Sequence, residues 1–144
     1  MTTQLHDTGE EFIVDKVFTG GNSVSSVSVG LYNDSTDALT DSDDVSAIST
    51  EPGGSNYGRQ SASFEMNFTN TNNSGDWETQ MDDLVFDTSD SNQSVDAYFV
   101  VVNFNSDDTG TDADHLFFTG SLDQTYDLSS VDQFTLSNSG LSIN

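Results

Sequence analysis

Cysteine is absent from this chain, proline occurs once, and only two side chains, Lys16 and Arg59, carry a fixed positive charge. Without thiols there are no disulfides, no thiolate metal sites and no cysteine nucleophile. Long apolar runs are missing as well. The most continuous one, Tyr98 to Val102, is far short of the roughly 20 residues that a membrane helix requires. The first residues, Met1 to Asp7, lack the basic stretch followed by an apolar one that marks a secretory signal. Two cations cannot neutralise a phosphate track, so nucleic acid is not an expected partner.

What the chain has in excess is carboxylate: 25 acidic residues among 144, for a formal net charge of -23. At that density self-repulsion opposes a compact state. Disorder is one resolution and molar salt is the other, because at about 1 M the Debye length shrinks to about 3 Å. The aromatic share of 10%, led by ten phenylalanines, argues for a folded domain, since disordered acidic tails are poor in such residues. Lys depletion with Asp enrichment then fits a protein that stays soluble in strong brine.

Period-two patterns recur while helical periodicity is scarce. Val27, Val29 and Leu31 alternate with Ser28 and Gly30, and Phe64, Met66 and Phe68 alternate with Glu65 and Asn67. Both read as half-buried strands. Tyr98 to Phe104, rich in Val and Phe, reads as a strand buried on both faces. Phe12 to Val14 with Val17 and Phe18 reads as a first strand, and Leu84 to Phe86, Leu116 to Phe118 and Phe134 to Leu136 as further ones. Polar connectors separate them. The expected fold is all-β, an antiparallel sandwich or jelly-roll-like domain spanning 1–144. Residues 1–10 are expected to form a flexible or contact-forming arm. The one helical turn expected lies near 43–48, where an Asp caps the start and Val45 and Ile48 face inward.

Few constellations suggest chemistry. Asp107 to Asp114 places carboxylates around Gly110, a spacing that could wrap Ca²⁺ or Mg²⁺, with Asp108, Asp112 and Asp114 as the ligand candidates. A second acidic loop holds Asp34, Asp37, Asp41, Asp43 and Asp44. In so acidic a chain both clusters also arise by composition, as solvated faces holding hydrated monovalent ions. His6 and His115 are the only imidazoles, too few for a zinc site without carboxylate help. No Gly-x-Ser-x-Gly elbow, P-loop or dinucleotide fingerprint occurs. No cofactor is required by the sequence, and no enzymatic activity is expected. Arg59 could hold Glu51 or a nearby Asp through paired hydrogen bonds, either within the chain or across a subunit contact. Tyr57 would return the chain to the core. Trp77 fits a core or subunit-contact role.

The order of these segments carries a resemblance. Gly30-Leu31-Tyr32-Asn33-Asp34 leads into the acidic loop. Val45 to Thr50, Glu51-Pro52-Gly53-Gly54 and Tyr57-Gly58-Arg59-Gln60 follow. Later come Leu116-Phe117-Phe118-Thr119-Gly120-Ser121-Leu122 and the terminal Phe134 to Ile143 segment. Over roughly residues 24 to 144 the chain resembles small virion proteins of tailed viruses. It departs from them in having no proline inside the Asp-rich loop and a longer acidic N-terminal lead. The resemblance implies a non-enzymatic β-sandwich structural protein of a head or tail. Combined with the acidity, it points to a virus of haloarchaea. The expected role is a capsid decoration or turret subunit, homo-oligomeric, contacting the major capsid protein or tail proteins within a virion assembled in the host cytoplasm. A tail or fibre component for host adsorption and a host-encoded acidic surface or binding domain are the alternatives.

Overall fold

A computed structural model of the chain describes residues 3–18, 20, 23–65, 77–105 and 114–143. The described elements are β1 (Thr3–Leu5), α1 (Asp7–Phe18), β2 (Ser23–Tyr32), α2 (Asp34–Asp37), β3 (Gln60–Ser61), β4 (Phe64–Glu65), β5 (Trp77–Met81), β6 (Leu84–Asp87), β7 (Ser94–Asn105), β8 (Asp114–Asp127), β9 (Gln133–Leu136) and β10 (Gly140–Ile143). Short 3₁₀ turns occupy Val45–Ala47 and Leu128–Ser130. The strands form a five-stranded sheet in the order β1-β8-β7-β2-β3, a three-stranded sheet β10-β5-β4 and a two-stranded sheet β6-β9. Every pairing is antiparallel. The fold is all-β in character, as the alternating segments required.

The large sheet is apolar on both faces at its centre. Alternation along β2 and β7 sends Val29, Leu31, Tyr98 and Val100 into a main core that also takes Met81 and Leu141, Leu84 and Phe86, and Phe134 and Leu136 from the two smaller sheets. The opposite face carries Tyr32, Ala97, Phe99, Val101 and Leu116, closed over by Leu39, Val45 and Ile48. Tyr98 to Val102 is therefore buried throughout, as its composition suggested. A register shift makes β8 serve both faces. Val100 pairs with Phe118 and Val101 with Leu116, leaving Phe117 as an extra residue. Such a bulge breaks the two-residue period. Leu116 and Phe118 accordingly enter opposite cores.

The N-terminal region corrects two expectations. Residues 12–18 form the second half of α1, not a strand, so helical structure is not confined to the 43–48 region. Asp7 and Glu10 lie in its first turn and Lys16 in its last, which complements the helix dipole. Gly9 lets the helix lie directly on β8: a Cβ there would meet the Phe117 carbonyl oxygen at 2.4 Å. Phe12 then meets the Phe117 ring edge-on, with centroids 5.9 Å apart. Residues 3–5, read as part of an arm, pair instead with Phe118 to Gly120 as β1. His6 follows, fully buried, its N–H donating to the Phe117 carbonyl at 3.1 Å.

The expected helical turn is present as the 3₁₀ turn Val45–Ala47. Asp44 caps it, accepting from Val45 N–H at 2.8 Å. The same carboxylate oxygen accepts from Leu116 N–H at 3.0 Å, which ties this loop to the strand it covers.

Candidate functional site

The Gly-rich loop after Thr50 closes on itself through Arg59. Its Nε and Nη2 donate to the two Glu51 carboxylate oxygens, each at 2.9 Å. Nη1 reaches Asp114 at 3.4 Å. The guanidinium also lies over the Phe99 ring, 5.0 Å from its centroid. The hydrogen bonds to Glu51, followed by the charges of Glu51 and Asp114, push the Arg59 pKa still higher despite partial burial. This fork-to-fork geometry is what a guanidinium offers and an ammonium does not. Gly30 leaves room for it, since a Cβ there would collide with Phe99 at 2.3 Å and touch Glu51 at 3.0 Å.

Tyr57 completes the clasp. Its ring stacks on Phe86 with centroids 6.0 Å apart. Its hydroxyl accepts from Leu31 N–H at 2.9 Å and donates to Glu51 at 3.4 Å. Burial first, and then the Glu51 charge, raise the Tyr57 pKa well above its ordinary value. Of the three loop glycines, only Gly54 has a positive φ, +121°, a conformation closed to most side chains. Here the loop lies against Asp90, which accepts from Ser55 N–H at 2.6 Å. Residues 51, 57 and 59, singled out in the sequence, thus meet at one place. The backbone of Trp77 lies in β5, paired with Ile143.

The acidic cluster after Asn105 is described only at Asp114. Asp108 and Asp112 lie outside the described residues. Asp114 is committed to Arg59 and to the Asn103 amide, which donates at 3.3 Å. Among the described residues no group of three potential metal ligands occurs. In the 34–44 loop each carboxylate has its own partner. Asp37 accepts from the Ser49 and Thr50 hydroxyls, both at 2.6 Å. Asp43 accepts from Thr40, and Asp44 caps the 3₁₀ turn. Asp34 accepts from the Tyr32 hydroxyl at 3.0 Å, and Asp41 accepts weakly from Gln4 at 3.5 Å. Asp87 and Asp127 repeat the pattern, each accepting from a serine two residues on. With few cations available, Ser and Thr donors pin the loops instead.

An open groove of about 290 Å³ lies at the end of the second face of the large sheet, beyond the cover of Leu39, Val45 and Ile48. Gln4, Tyr32, Asp34, Ala97, Thr119 and Ser121 line it. Behind it sits His6, whose Nε2 is 3.2 Å from the Thr119 hydroxyl, while Nδ1 has no partner among the described residues. Also lining the groove, the Tyr32 phenol donates to Asp34. Burial above all, and then the Asp34 charge, hold that phenol protonated well beyond its ordinary range. Sequence reading missed this groove. Its residues come from four strands and the start of α2, and nothing in their local spacing announces that they meet. His115, by contrast, is the second residue of β8, away from this groove.

Comparison with protein-family models, curated proteins and solved structures finds no match to the chain.

Proposed function

We propose that this chain is a non-enzymatic structural protein of a halophilic tailed virus, arrayed in repeated copies as a decoration or turret subunit on the capsid. The observation that carries this reading is how its distinctive loop is used. Glu51, Tyr57 and Arg59 engage one another, Phe99 and Leu31, so the loop's charged groups serve shape. The carboxylates of the other loops are engaged likewise with their own Ser and Thr donors. Contact with neighbouring subunits draws support from α1, where Val17 and Phe18 are 68% and 79% exposed. Large apolar side chains gathered at a surface mark contact sites. Closed homo-oligomers are the common form for such units. Among the described residues the edge strand β3 pairs only with Ser28 and Val29 of β2, which supports a neighbouring subunit as cover for the rest.

Mass spectrometry of virions produced from a genome carrying this gene tests the proposal. The expected result is the protein present at a copy number that is a multiple of the capsid symmetry. Its absence from virions refutes the structural role, and a copy number of a few per particle replaces the head position with a tail one.

A further inference from the structure

The groove beside β1 has a lining chemistry that selects a ligand class. Its side chains are hydroxyls and one amide, from Thr3, Gln4, Tyr32, Thr119 and Ser121, with Asp34 as the single charge. Asp96 stands just behind, its carboxylate accepting from Asp34 N–H at 2.6 Å. An anionic ligand would meet these carboxylates with no cation in the lining to offset them. A bare divalent ion would need several convergent oxygens of high charge, and only one carboxylate lines the groove. Hydroxyls and amides both donate and accept, and the ligand groups that match them are hydroxyls.

The polar atoms are also oriented in advance. Buried His6 helps to fix Thr119, its Nε2 lying 3.2 Å from the Thr119 hydroxyl. The Tyr32 hydroxyl donates to Asp34 at 3.0 Å. The second contact fixes the Asp34 carboxylate at the groove wall. It leaves the Asp34 end acceptor-rich, suited to ligand hydroxyl donors. Ala97 keeps the floor low, since it offers only a methyl group. Gly120 cannot be larger, since a Cβ there would sit 2.3 Å from the Tyr98 ring behind it. The volume of about 290 Å³ lies at the small end of ligand pockets, the size of one sugar ring and not of an oligosaccharide.

We infer that this groove binds a neutral, hydroxyl-bearing ring of monosaccharide size, held by Asp34, Gln4 and Ser121 over the Ala97 floor. The inference rests on the groove alone, so its failure leaves the structural role standing. Titration of the ¹⁵N-labelled full chain in molar KCl with methyl glycosides of glucose, galactose and mannose, followed by amide chemical shifts, is the test. At least one glycoside should give saturable shifts confined to Gln4, Ala97 and residues 119–121. Gln4→Ala, at an exposed edge position, should weaken it about tenfold, the equivalent of about 1.4 kcal/mol. Tyr32→Phe, which removes the hydroxyl that orients Asp34, should do the same with the rest of the spectrum unchanged. Absence of saturable shifts, equal shifts with glycerol, unchanged affinity in Gln4→Ala, or preferential binding of propylammonium or phosphate would each overturn it.

Discussion

Replacing Arg59 by alanine removes a two-pronged ion pair, a third contact to Asp114 and a stacked ring contact in one step. Hydrogen bonds to charged groups contribute about 1.5–3 kcal/mol, whereas exposed ion pairs contribute about 0–1 kcal/mol. The Arg59 and Glu51 side chains are 28% and 24% exposed, between those limits. The variant also leaves Glu51 half-buried without its cation. We expect a loss of about 2 kcal/mol. For a chain of this length about 1 kcal/mol moves the midpoint by about 4 °C, so Tm should fall by about 8 °C. The assay is thermal unfolding in molar KCl followed by circular dichroism, within a double-mutant cycle with Glu51→Ala. The coupling energy should be about 1–2 kcal/mol, as for contacting residues. Arg59→Lys should recover less than half of the loss, because an ammonium cannot present the planar fork. A Tm within about 2 °C of the parent, or a coupling below about 0.3 kcal/mol, would refute the clasp as a stabilising device. Unchanged Tm with failed assembly would move Arg59 to a subunit contact instead.

Three further outcomes are expected. Hydrogen bonding lowers the pKa of Asp43, Asp87 and Asp127, through Thr40 for the first and a serine two residues on for the others. Asp37 and Asp90 are lowered too, because their Ser, Thr and Asn donors outweigh desolvation. A folded-state pKa below the unfolded one gives stability that is present above the unfolded value and lost as pH falls through the folded one. Loss should therefore begin only below the ordinary aspartate value of 3.8; a pH titration of ellipticity showing the main loss near pH 6, the histidine range, would contradict this. Gly9→Ala should lift α1 from β8, because the new methyl meets the Phe117 backbone carbonyl oxygen, which cannot swing aside as the end of a side chain can. Overpacking of this kind costs about 1–3 kcal/mol, read as a lower Tm and faster amide exchange in residues 7–18. Dialysis from molar KCl to dilute buffer should abolish β-type ellipticity, since the charge of -23 is then unscreened. A retained spectrum would overturn the brine reading of the acidity.

Much of the β architecture was legible because period two is a local signal. Val27, Val29 and Leu31 sort onto one face whatever they pack against, and Tyr98 to Val102 offers no polar residue to show to water. Arg59 was legible as an anchor for a different reason: a single arginine among 25 acids meets a carboxylate, though the choice of Glu51 over a nearby Asp came only with the structure. The 12–18 segment misled because Phe, Ile and Val suit strands by propensity. Its helix is set by tertiary contact, with Gly9 and Phe12 fitted against Phe117. Such a contact, between residues over a hundred positions apart, leaves no local trace.

The sequence by itself determined the class of fold, the acidic surface and the composition of the loops, because these follow from alternation and net charge. Which carboxylate meets which hydroxyl was decided only by the tertiary structure. So was the bulge at Phe117 that turns Leu116 and Phe118 to opposite cores. So too was the meeting of Gln4, Tyr32, Asp34, Thr119 and Ser121 at one groove. Each depends on strand register, which a long-range pairing sets and neighbouring residues do not encode.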